Sequence, residues 1–189
     1  MLSNEALEVV GTLFTFSAWT SGFVQTGEEE ISNNNLLTTI PRLNDDWGLV
    51  FEIRPTMYYN TFKQFFNMRR NGEDFHPAFY MMSSETWRVH FTGSSSVDLP
   101  NTAAVDQWTK IEYVQEKRGD THFIVIYMNG VQIYNEENTH WTTRLAAENV
   151  EVYTNLNQGP QPGFIRGLTV QNRATDDDQP QNRVASREL

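Results

Sequence analysis

Two short segments concentrate the side chains that could engage a ligand. The first is Asn67-Met68-Arg69-Arg70-Asn71-Gly72-Glu73-Asp74-Phe75-His76, and the second is Trp87-Arg88-Val89-His90. Between them they offer aromatic rings, amides, carboxylates, guanidinium groups and imidazoles. That mixture suits a hydroxyl-rich ligand such as a sugar, with a ring for the apolar face of a pyranose and polar groups for its hydroxyls. Asn67, Arg69, Arg88, His90 and Trp87 are therefore the candidate ligand-binding residues. Each also has a plainer role. Asn67 could cap a strand, Arg69 and Arg70 could simply be solvated, and Trp87 shares one face with Val89 and Phe91 by alternation, the signature of core packing. Arg88 and His90 then share the opposite face, where they could line a groove.

The elements that must position these residues read as short strands. The clearest stretch is 108–134, WTKIEYVQEKRGDTHFIVIYMNGVQIY. Two apolar runs meet at Asn129-Gly130, a dipeptide suited to the positive φ angles of a type I′ hairpin. A third run, Trp108 to Gln115, precedes them across the charged turn Glu116-Lys117-Arg118-Gly119-Asp120. Alternation assigns Ile111, Tyr113, Phe123, Val125, Tyr127, Val131 and Ile133 to an inner face. Further strands are expected at 12–19, 47–54, 62–68, 150–154 and 164–171, with a hairpin pairing 79–82 and 87–91 around Ser83-Ser84-Glu85. Gly93 to Asp106 reads as a polar connection and Glu28-Glu29-Glu30 as a turn. Some ten to twelve strands at this spacing predict an all-β fold, a two-sheet antiparallel β-sandwich or jelly roll. The sandwich is expected over 1–172, followed by a disordered acidic, polar tail over 173–189.

Composition narrows the function classes. At 189 residues the chain suits one domain, and 13 % aromatics spread along it suit a sandwich core with some exposed rings. There is no cysteine, which excludes disulfides, thiolate metal sites and a Cys nucleophile. The formal net charge of −10 disfavours nucleic acid as a partner, although Arg54, Lys63, Arg69 and Arg70 lie close in sequence. No apolar run reaches the roughly 18 residues of a membrane span, so no membrane insertion is expected. The opening, Met1 to Trp19, lacks a basic n-region and carries Glu5 and Glu8, a poor match to a signal peptide. The histidines show no HExxH spacing, and no G-x-S-x-G elbow is present.

The order of segments resembles that of the concanavalin A-like sandwiches, which include laminin G-like domains, legume lectins, pentraxins and galectins. The resemblance is carried by 46–56, DWGLVFEIRPT; by 108–113, WTKIEY; by 123–134; and by 163–170, GFIRGLTV. It implies a jelly roll that binds a glycan or glycoprotein on a concave sheet or loop rim, without catalysis, in an extracellular or secreted setting; the lack of cysteine is equally compatible with a cytosolic one. A protein-binding, laminin G-like adhesion role is the alternative, and a glycoside hydrolase or lyase is a weaker one. The Glu-x-Asp-x-Glu strand of the superfamily's glucanases is absent. Galectins carry His-x-Asn-x-Arg on one strand; here Asn67 and Arg69 match, and Phe65 stands where the histidine would be. The laminin G-like pattern also implies calcium as an optional cofactor at rim aspartates, here Asp98 and Asp106, because the hard cation takes six to eight oxygens. Self-association as a homo-oligomer is left open.

Overall fold

The computed structural model describes residues 19–24, 27–70, 73–83, 86–92, 95–100, 103–137, 147–156 and 159–173. Among them are thirteen strands in two antiparallel sheets, and no helix. Seven strands form one sheet: β1 (Trp19–Val24), β2 (Glu28–Glu30), β4 (Trp47–Pro55), β9 (Thr109–Arg118), β10 (Thr121–Met128), β11 (Val131–Glu137) and β13 (Gly163–Arg173). Their order is β1-β13-β4-β9-β10-β11, with β2 also pairing with β13. The other sheet contains β3 (Leu36–Leu43), β5 (Lys63–Arg70), β6 (Glu73–Ser83), β7 (Thr86–Thr92), β8 (Ser95–Pro100) and β12 (Ala147–Tyr153), in the order β3-β12-β5-β6-β7-β8. The all-β, two-sheet jelly-roll sandwich expected from the sequence is the observed architecture.

The core lies between the sheets and is rich in rings. Trp47, Leu49, Phe51 and Ile53 point inward from β4, and Trp87, Val89 and Phe91 face them from β7, all buried. Phe51 stacks on Phe66 with ring centroids 5.0 Å apart and meets Phe79 edge-on at 5.5 Å. Trp47 packs on Tyr113 at 5.3 Å. Such pairs add to the burial of large apolar surfaces; those of Phe51 tie the two sheets together, and Trp47–Tyr113 joins the adjacent strands β4 and β9. Burial also pushes the Tyr113 phenol far above its ordinary range, so this ring stays neutral.

Several expectations are corrected. In β10 the residues packed in the core are Ile124, Ile126 and Met128; Val125 is buried outside that cluster, Phe123 and Tyr127 are half-buried and Val131 is exposed. The run 123–128 is apolar throughout, so its own sequence names no polar face. The ladder decides instead: Met128, Ile126 and Ile124 pair with the inward Ile111, Tyr113 and Gln115 of β9. The hairpin itself is as read, with Asn129 at φ 50° and Gly130 at φ 79°. The supposed connection 93–106 contains β8, whose serine-rich sequence carries little strand signal and which forms by pairing with β7. The supposed turn at Glu28–Glu30 is β2, held by β13 and by an Arg54–Glu28 ion pair at 3.0 Å. The leading strand proposed over 12–19 and the tail over 173–189 lie outside the described residues, apart from Trp19, which opens β1, and Arg173, which closes β13.

Candidate functional site: the outer face of the six-stranded sheet

The ladder registers place four of the five candidate ligand residues on one surface. In an antiparallel sheet directly opposed residues project to the same face. One row across the sheet reads Tyr153, Asn67, Ala78, His90 and Ser96, from β12 through β8. A second row reads Gln64, Tyr80, Arg88 and Asp98. Arg69 stands opposite Glu151 on one side and Asp74 on the other. Tyr153 donates its hydroxyl to Glu151 at 3.1 Å, within the same surface.

Trp87 falls on the other side. It is 1 % exposed and packs edge-on against Phe65 at 5.0 Å, so its indole belongs to the core and is not presented to a ligand. Phe65, standing where galectins have histidine, is also buried. A bulge between Gln64 and Phe66 lets two successive phenylalanines of β5 face inward.

Besides His90, the rings of the face come from residues not singled out in the sequence. Tyr80 packs on His90 at 4.8 Å and meets Phe62 edge-on at 6.3 Å. The Arg88 guanidinium lies 4.3 Å from the Phe62 ring centroid. Tyr80 was legible in principle, because it alternates with the inward Phe79 and Met81. Phe62 was not, because nothing local says which way the residue before a strand turns.

Arg88 grips Asp98 as a fork: Nε donates to Oδ1 at 2.6 Å and Nη2 donates to Oδ2 at 2.8 Å. This two-point geometry fixes both planes. The hydrogen bond from Arg88 holds Asp98 below the usual carboxylate range, and Asp98 in turn raises Arg88 further. His90 is shifted down, first by burial and then by the neighbouring Arg88 charge, so the imidazole is neutral at neutral pH.

Gln64 ties this face to the loop between β12 and β13. It is fully buried; its Nε2 donates to the Tyr80 hydroxyl at 2.9 Å and its Oε1 accepts from the Leu156 amide at 2.5 Å. Its backbone exchanges further bonds with Gly159 and Gln161. No sequence signal marks a glutamine whose partner lies 92 residues away. Gln64→Leu should strand the buried Leu156 amide and cost about 1–3 kcal/mol. Urea unfolding, together with faster hydrogen exchange at that amide, would register the loss.

The calcium expectation does not fit these residues. Asp98 commits both carboxylate oxygens to Arg88. Asp106 sits in a loop at φ 60°, its amide bonded to the Pro55 carbonyl at the end of β4, in the other sheet. Among the described residues no three acidic or histidine side chains gather where they could hold a metal ion. Of the basic residues close in sequence, Arg54 does not join Lys63, Arg69 and Arg70 of β5, because Arg54 projects from the seven-stranded sheet. There it lies 5.1 Å from Trp108 and 4.7 Å from Phe164 and is paired with Glu28, while Arg166 covers Trp108 at 4.0 Å and pairs with Glu52 at 2.6 Å. No helix among the described residues is long and apolar enough to cross a membrane.

No protein-family model matches the chain, and no curated protein matches it. Solved structures do. A native heptameric SAP-like pentraxin from Limulus polyphemus aligns over 82 % of this chain and 74 % of its own, at TM-score 0.56 and 18 % identity. The CBM40 of a Ruminococcus gnavus IT-sialidase, bound to α2,3-sialyllactose, aligns over 82 % and 96 %, at TM-score 0.51 and 12 % identity. The binding domain of botulinum neurotoxin serotype G aligns over 85 % of this chain and 42 % of its own, at TM-score 0.54 and 12 % identity. At these identities the likeness is one of fold, that of a two-sheet jelly-roll β-sandwich.

Proposed function

We propose that this chain is a non-enzymatic glycan-recognition module whose ligand lies across the outer face of the six-stranded sheet. The observation that carries the reading is the row Gln64–Tyr80–Arg88–Asp98 with its ring tier, Phe62, Tyr80 and His90. Rings that already pack on one another present a rigid apolar surface to a sugar ring. The Arg88–Asp98 fork beside them offers remaining donors and lone pairs in a fixed geometry, which lowers the ordering cost of binding. Neighbouring folds include a sialidase module seen with sialyllactose, which supports glycan recognition as the class of activity. An extracellular setting, where glycans are displayed, fits this reading.

The test is a glycan array read with the purified chain and competed by free sugar. Arg88→Ala and Arg69→Ala are each expected to weaken binding about tenfold, equivalent to about 1.4 kcal/mol. Stability should barely move, because the Arg88–Asp98 pair is solvent-accessible, with side chains 29 % and 49 % exposed. A folded protein that binds no glycan would refute the proposal. So would variants that lose stability while binding is unchanged.

A further inference from the structure

We infer that the ligand of this face is a neutral, hydroxyl-rich saccharide, and that the face selects against glycans bearing a carboxylate or sulfate on the bound residue. The inference rests on the glycan reading above and narrows it to a ligand class.

Two separate features point this way. The first is the occupied fork. Arg88 is the cation beside the ring tier, and two of its N–H groups already face the two oxygens of Asp98. An acidic sugar could take that fork only by displacing Asp98, leaving an unpaired carboxylate next to its own charge. A neutral sugar needs no displacement: its hydroxyls donate to the outer lone pairs of Asp98 and accept from the remaining guanidinium N–H groups.

The second feature is an acceptor without a donor. Asn67 is 4 % exposed, and its Oδ1 is buried with no hydrogen-bond partner in the protein. It stands between Tyr153 and the small Ala78, whose own neighbour across the ladder is His90. A buried carbonyl oxygen in this state calls for a donor. A sugar hydroxyl supplies one once the side chains closing over Asn67 shift to admit it; an ionised carboxylate or sulfate carries only acceptors and supplies none.

The remaining charges on the face leave no positive excess. Arg69 stands in the ladder between Glu151 and Asp74, and His90 is neutral at neutral pH for the reasons given above. The whole chain carries a formal charge of −10, so an anionic glycan would also approach a molecule of its own sign.

The experiment compares neutral oligosaccharides with counterparts carrying a uronic acid or sulfate on the same residue, by calorimetry at about 20 and about 300 mM salt, between which the Debye length falls from roughly 20 Å to roughly 6 Å. The wild-type chain should bind the neutral member at least about tenfold more tightly, with less than about twofold change across the two salt conditions. Asp98→Asn, which removes the competing charge, should raise acidic-ligand affinity about tenfold and make it salt-sensitive. Asn67→Leu, close in volume, should weaken neutral binding about fivefold or more, with a melting temperature unchanged or higher because an unpaired buried carbonyl is gone. Preference of the wild type for the acidic member, weakening with salt, would overturn the inference and leave glycan recognition standing. So would an Asp98→Asn protein with the wild-type preference, or an Asn67→Leu protein with undiminished neutral binding. Failure of the folded wild type to bind either member would instead remove the reading on which the inference rests.

Discussion

Trp87→Ala should destabilise the protein by about 3–5 kcal/mol, the range for truncating a large buried aromatic side chain. The indole is 1 % exposed, and Phe65 lies against it at 5.0 Å. Phe65 in turn touches Phe51 and Phe79 at 6.3 and 5.9 Å, so the vacancy would open into a ring cluster spanning both sheets. Rigid rings hinged on separate strands cannot collapse far into the hole, which places the expected cost toward the upper end. In a domain of this size each kcal/mol corresponds to roughly 2–4 °C in melting temperature, so a drop on the order of 10 °C is expected. Chemical denaturation would measure it directly. A loss below about 1 kcal/mol would mean that the ring does not sit in the core.

Gly163→Ala is the second large effect. Gly163 opens β13 at φ 151°, a conformation that side-chain-bearing residues rarely adopt. A Cβ there would lie 2.4 Å from the Arg54 carbonyl oxygen and 2.9 Å from the Pro55 Cα. Both are backbone atoms of the strand paired with it, so relief requires peeling β13 away from β4 at the Gly163–Pro55 pair. The Ile31 amide, which donates to the Gly163 carbonyl at 3.0 Å, would be disturbed as well. Strained backbone alone costs about 1–3 kcal/mol, and the clash adds to it. Gly130→Ala is the matched control: φ is 79°, nothing lies within 4 Å of the added carbon, and only the left-handed penalty of about 1–2 kcal/mol applies. Thermal melts of the two variants should therefore differ clearly, with Gly163→Ala the lower. Equal melting temperatures would show that the β4–β13 junction yields more readily than its geometry indicates.

Much of the scaffold was written locally. Trp47, Leu49, Phe51 and Ile53 alternate with smaller or polar neighbours, as do Trp87, Val89 and Phe91 with Arg88 and His90, and each set lies in the core as its period requires. Asn129-Gly130 turns the hairpin because the φ > 0 requirement is met by those two residues alone. Local chemistry also put Arg88 and His90 on a face away from Trp87.

What local chemistry lacked was the identity of neighbours. Nothing within 123–128 distinguishes one apolar face from the other, so the parity of β10 came from β9. Strand β8 has little propensity of its own and exists because β7 offers an unpaired edge; its Asp98 then meets Arg88, which changes an expected calcium ligand into the partner of a guanidinium. Gln64 acquires its role from Tyr80 and from a loop 92 residues later in the chain. Sequence alone thus determined most of the extended segments, though not β2, β3 or β8, and which of their side chains share a side, since both follow from a two-residue period where one is present. Only tertiary structure decided which strands adjoin, and with that the composition of the candidate face, because lateral pairing joins backbone groups that are alike in every residue and leaves the choice of partner to packing across the whole sandwich.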